Sequence, residues 1–119
     1  MILQLPRFNQ TGRLNTAAEN NPPLRRGETG EAVRIVQLAL SDLGYDMPVT
    51  TKGGKRLPDG IFGTETLRAV REFQSDNHLS SDGIVGRETL KMLERRIAEQ
   101  INDRTNFHAA RARALTHFE

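Results

Sequence analysis

The sequence predicts an all-α fold, and three observations carry that prediction. Apolar residues recur at helical spacing in three separate stretches, a glycine-bounded turn sequence is written twice, and aromatic residues are sparse at 5%, with no Trp and one Tyr. A core of Leu, Ile, Val, Ala and a few Phe suits helices better than a sheet. The 119 residues allow one domain and little more.

Residues 1–23 read as a disordered or extended arm. They hold Asn9, Asn15, Asn20, Asn21, Pro6, Pro22 and Pro23 and show neither helical nor alternating periodicity. Such a segment is not expected to bury enough apolar surface to offset its ordering entropy.

The first helix is predicted from Glu31, after the turn Gly27-Glu28-Thr29-Gly30. Val33, Val36, Leu40 and Leu43 then form one stripe at spacings of three and four. Gly44 supplies the left-handed residue that ends such helices, and Tyr45 folds back on the last turn. Residues 46–58 form a loop rich in glycine and cations, with Gly53-Gly54 flanked by Lys52, Lys55 and Arg56. Loops of this length in a small domain are often functional.

Asp59-Gly60-Ile61-Phe62-Gly63 reads as a tight turn. Thr64 is the expected N-cap of the second helix, and Glu65 suits the positive end of its dipole. Leu67, Val70 and Phe73 make the apolar stripe, and Asn77 to Ser81 close it. Asp82-Gly83-Ile84-Val85-Gly86 repeats the turn, and Leu90, Leu93, Ile97 and Ile101 make the third stripe. Residues 94–119 allow either one long helix or a break at 102–106 followed by a short basic helix through Phe107, Arg111, Ala114 and Phe118. The expected division is an arm at 1–23, a domain at 24–93 and a helical extension at 94–119.

The repeat is specific. DGIFGTETLRAV at 59–70 and DGIVGRETLKML at 82–93 share seven of twelve residues at an offset of 23. Repetition at such a period marks one supersecondary unit used twice. The Asp carboxylate can accept the backbone N–H two residues on, an Asx-type turn, and the next Gly can take positive φ. Ile61 and Ile84 are expected to point inward. Thr66 and Thr89 lie where a hydroxyl can bond back to the turn. This makes Asp59 and Asp82 turn-builders rather than catalysts.

The remaining chemistry is largely excluded. There is no Cys, which removes disulfides, thiol catalysis and Cys-based zinc sites. His78, His108 and His117 are not at metal-ligand spacing, and His78 reads as a helix-end residue. Gly53-Gly54-Lys55 lacks the frame of a phosphate loop. Ser75, Ser80 and Ser81 near His78 lack the oriented acid and oxyanion hole of a triad. No cofactor, metal or catalytic residue is expected. Net charge is +2, with 14 Arg among 17 cations. Residues 94–119 hold five Arg against four acids, too balanced for a nucleic-acid footprint. No apolar run approaches the roughly 18–20 residues of a membrane span. Met1 to Gln10 shows no export signal, which would need an apolar run of about 7–15 residues.

Three linked segments carry a family resemblance. The first runs Leu24-x-x-Gly27-x-x-Gly30-x-x-Val33-x-x-x-Gln37-x-x-Leu40-x-x-Leu43-Gly44-Tyr45. The second is Asp59-Gly60-x-Phe62-Gly63-x-x-Thr66-x-x-Ala69-Val70-x-x-Phe73-Gln74. The third is Asp82-Gly83-Ile84-Val85-Gly86-x-x-Thr89-x-x-x-Leu93. Together, over about residues 24–93, they resemble the peptidoglycan-binding domain 1 family. The resemblance implies a compact three-helix bundle and a bacterial wall-targeting role in the cell envelope or outside the cell. Gln37 and Gln74 match family positions, where they bond backbone across the helices. His78 departs from the family, which usually has Gly there, and the loop 46–58 is longer and more basic than usual.

The expected function is non-catalytic binding of peptidoglycan, through its stem peptide and adjoining glycan. Lys52, Lys55 and Arg56 would meet stem-peptide carboxylates, Tyr45 and Phe62 would offer stacking surface, and Asp59 borders them. The alternative is a protein-docking adaptor in a phage tail, secretion or injection apparatus. It would be made in the cytoplasm and carried with the particle or exported non-classically. Residues 1–23 and 94–119 would grip the partner, with Phe107, Arg111, Arg113 and Phe118 as contacts.

Overall fold

Helix-forming stripes become helices where the sequence places them. The computed structural model describes residues 3–47 and 58–117, with side chains through residue 102. A 3-10 turn at Pro6–Phe8 precedes four helices: α1 at Gly12–Ala18, α2 at Glu31–Asp42, α3 at Thr64–Asp76 and α4 at Arg87–His117. The all-α class is as expected.

Val33, Val36 and Leu40 of α2 meet Ala69, Val70 and Phe73 of α3, with Leu90, Leu93 and Ile97 of α4. All are buried. Each buried Val, Leu, Ile or Phe side chain among them contributes about 1.5–3 kcal/mol of hydrophobic stabilisation. Ile97, four positions beyond residue 93, is buried with this core, so the start of the C-terminal extension packs on the domain.

The N-terminal segment is not an extended or disordered arm. Leu3, Phe8, Leu14, Ala17 and Ala18 are 0% exposed and join the core. Short α1 is capped by Thr11, whose Oγ1 accepts from Leu14 N at 3.3 Å, and it packs on α4. Polar ties hold the segment down. Glu94 on α4 accepts the backbone N–H of Gln4 at 2.7 Å and of Leu5 at 2.9 Å. Arg13 forks onto Glu28 with two bonds of 2.7 Å and also donates to the carbonyls of Pro22 and Pro23. Isolated anchors without periodicity conceal this from a reading based on spacing.

Residues 24–30 then staple both turns. Leu24 and Val85 exchange backbone hydrogen bonds at 2.9 and 2.8 Å. Gly27 N donates to Phe62 O, Phe62 N to Glu28 O and Gly30 N to Gly60 O, all within 2.9 Å.

One further expectation changes. Gly63, not Thr64, is the N-cap of α3, and Thr64 is its first helical residue. Glu65 does lie in the first turn. Of the two alternatives for the C-terminal extension, one helix or two, the structure takes the first, because α4 continues to His117. At 1.5 Å per residue, its 31 residues span about 46 Å.

Both inner helices end in the same hydrogen-bond pattern. In α2, Tyr45 N reaches Leu40 O and Gly44 N reaches Ser41 O, with Gly44 at φ 96°. In α3, Leu79 N reaches Gln74 O and His78 N reaches Ser75 O, with His78 at φ 59°. These are Schellman ends, and His78 occupies the left-handed position that Gly fills more cheaply.

Candidate functional site

The twice-written motif folds into two matching corners. In the first, Ile61 N donates to Asp59 Oδ1 at 2.9 Å, which closes the Asx turn. Gln37, on α2 and 0% exposed, clamps it. Its Oε1 accepts Gly60 N at 2.9 Å, and its Nε2 donates to Ile61 O at 2.9 Å, Thr66 Oγ1 at 2.9 Å and, at 3.3 Å, Asp59 Oδ1. In the second, Ile84 N donates to Asp82 Oδ1 at 2.9 Å, and Gly83 N donates to Gln74 Oε1 at 2.9 Å. Gln74 Nε2 donates to Ile84 O, Thr89 Oγ1 and Asp82 Oδ1, each at 3.0 Å. A buried amide must be satisfied on both its oxygen and its nitrogen, and here both glutamines are.

Asp59 and Asp82 are thus turn-builders, as the repeat implied. The isoleucines differ from expectation. Ile61 is 53% exposed and Ile84 half-buried, while their neighbours Phe62 and Val85 fill the core. What the corner uses from each Ile is its backbone carbonyl. Thr89 bonds back to the turn through Ile84 O at 3.4 Å. Thr66 instead turns its hydroxyl to Met47 Sδ at 3.9 Å.

The candidate ligand contacts separate. Phe62 is 1% exposed, so it presents no stacking surface and is a core residue. Asp59 lies at the surface, with Oδ1 held in its turn. Tyr45 is half-buried. Its hydroxyl donates to Asp76 at 2.6 Å, and its ring meets Phe73 edge-on, centroids 5.7 Å apart. Burial, then the Asp76 hydrogen bond and charge, push the Tyr45 phenol up to about 12. Lys52, Lys55 and Arg56 lie outside the described residues, as does Phe118. The side chains of Phe107, Arg111 and Arg113 are likewise outside the description, although their backbone belongs to α4.

Sequence reading passed over Asn20. Its Oδ1 accepts Arg87 N at 2.9 Å and so caps α4 from a distant segment. The Asn-Asn-Pro-Pro run signals a turn there, but nothing in it says which helix the turn would cap. Among the described residues no cluster of His, Asp and Glu could hold a metal ion, and no helix is long and apolar enough to cross a membrane.

Comparison with known proteins adds the following. The family model described as "Putative peptidoglycan binding domain" matches residues 29–93. The spore cortex-lytic enzyme of Oceanobacillus iheyensis is 32% identical over 107 residues, covering 84% of this chain and 36% of that protein. The type VI secretion system spike protein VgrG3 of Vibrio cholerae is 35% identical over 81 residues, covering 59% of this chain and 7% of that protein. A solved peptidoglycan-binding protein from Clostridioides difficile, in complex with glutamine hydroxamate, aligns with a TM-score of 0.53 at 36% identity. That alignment covers 61% of this chain and 40% of the other. The chain therefore spans less than half the length of each of these proteins.

Proposed function

The chain belongs to the peptidoglycan binding domain family, and from that premise we propose that it binds bacterial peptidoglycan and makes or breaks no covalent bond itself. One observation carries the non-catalytic reading. The motif side chains Asp, Gln and Thr are engaged in holding their own corners, so the repeat supports a rigid body with surfaces for contact. Catalytic carboxylates of glycoside hydrolases instead face each other across a scissile bond. The enzyme activity in the name of the Oceanobacillus relative belongs to a protein of which this chain covers 36%.

In this reading Tyr45 and Asp59 flank the loop 46–58, whose Lys52, Lys55 and Arg56 meet carboxylates of stem peptides beside the glycan. The setting is the cell envelope or the outside of the cell. The test is co-sedimentation with purified sacculi. Wild type should pellet, and changing Lys52, Lys55 and Arg56 together to Ala should leave most of it in the supernatant. Wild type that stays soluble would sink the wall-binding reading.

A second reading is a docking adaptor of a secretion or injection particle. It is favoured by the likeness to the spike protein and by α4 continuing 24 residues past the family match, from residue 93 to His117. Its contacts would be Phe107, Arg111, Arg113 and Phe118. Because Ile97 is core and Glu94 anchors the N-terminus, the informative truncation falls after Asn102. Loss of an oligomer or partner on that truncation, with the fold retained, favours the adaptor.

A further inference from the structure

A cleft of about 360 Å³ lies where the second corner meets the N-terminal segment. Leu79 and Ile84 line it with half-buried apolar surface, and Asn20 and Arg87 face it from the side of α4. Its size falls in the range of small-ligand sites, about 300–1,000 Å³. We propose that this cleft is a subsite for a short zwitterionic peptide, with a ligand amine drawn to Asp82 and Glu88 and a ligand carboxylate to Arg87. The inference rests on the wall-binding reading for the source of such a peptide, and it adds a site and a ligand class.

The charge pattern decides between peptide and sugar. Asp82 and Glu88 stand in one cleft with Arg87, so both signs are present. A neutral glycan that covered them would strip water from charges without pairing them, which costs free energy. A zwitterion pairs both. The His78, Ser80 and Glu88 side chains form no hydrogen bond among the described residues, so they keep donors and acceptors for a ligand.

The walls are also preset. Arg87 is fixed by its N–H to Asn20 Oδ1 and by Nε to Ala18 O at 3.2 Å, with Nη2 3.5 Å from Glu19. Asp82 is fixed by its own turn and by Gln74. Groups held in place before binding lose little entropy on binding. His78, kept at φ 59° by the helix end, stands at the rim.

The experiment titrates the full chain with the tripeptide L-alanyl-γ-D-glutamyl-L-lysine, and separately with chitotriose, followed by calorimetry. The tripeptide should bind and chitotriose should not. Glu88→Gln should weaken tripeptide binding by about tenfold. Ser80→Trp should block it by filling the cleft. Both positions are exposed, and circular dichroism checks that each variant folds. Tripeptide binding indifferent to both variants, equal binding of chitotriose, or no tripeptide binding overturns the subsite. Sacculus sedimentation on the same samples separates the two ideas. Wild-type pelleting together with tripeptide binding that ignores both variants removes the subsite and keeps wall binding. A tripeptide that binds in the cleft of a protein that does not pellet keeps the subsite and removes wall binding.

Discussion

The corner at Asp59–Gly63 and the corner at Asp82–Gly86 are closed by the same five contacts, matched within 0.3 Å, yet they sit in different company. The first is stapled to Thr29 and Gly30 and rests on Met47, at the start of the basic loop. The second is stapled to Leu24 and roofed by Asn20, and it borders the mixed-charge cleft. A repeated motif therefore repeats architecture. What could make one copy a site and the other a strut lies in neighbours that the motif does not contain.

If the corners are equivalent struts, their clamps should be equally costly to remove. Gln37→Ala and Gln74→Ala each leave a buried Gly N–H without its acceptor and remove one donor from an Ile carbonyl, so each should destabilise by about 3 kcal/mol in urea unfolding. A large loss at one and a small loss at the other would break the equivalence.

The glycines should separate the corners. Gly60 and Gly83 have φ of 75° and 74°, where a Cβ is strained. A Cβ at Gly60 would stand 3.0 Å from the backbone oxygen of Gly30, which cannot move away. A Cβ at Gly83 would overlap Leu67 Cδ1, the far end of a side chain that can rotate. Gly60→Ala should cost about 2–3 kcal/mol and Gly83→Ala about 1–2 kcal/mol, read from thermal or urea unfolding. The reverse order would mean that the first corner yields more readily than its packing implies.

A smaller effect is expected beside the second corner. His78→Gly should raise stability by about 1 kcal/mol, because it relieves the left-handed backbone at the end of α3. If the imidazole also serves the cleft, the same change should weaken tripeptide binding while strengthening the fold. A stabilised protein with unchanged binding would assign His78 to the helix end alone.

The least change is expected at Tyr45. Its phenol is held up to about 12, above the usual 10, so the folded state keeps the proton better than the unfolded chain. The stability from this group is present in full below pH 10 and is lost as pH rises toward about 12. It is the chain's one Tyr, so ultraviolet titration of the phenolate reports it directly. Tyr45→Phe should remove this alkaline decline. A midpoint near 10 in the folded protein would contradict the Asp76 contact.

Three helices, both glycine-hinged turns and the two Asx bonds were determined by the sequence alone. Each depends on residues close in the chain or on a periodic stripe, and such short-range geometry leaves few options. The direction of Phe62 against Ile61 was not legible, because a turn has no period from which to read a face. Tertiary structure alone settled the fate of residues 3–23. Asn20 caps a helix 67 positions away, and Gln4 is held by a carboxylate 90 positions away. Such partners become neighbours only after the chain has folded, and so no local pattern announces them.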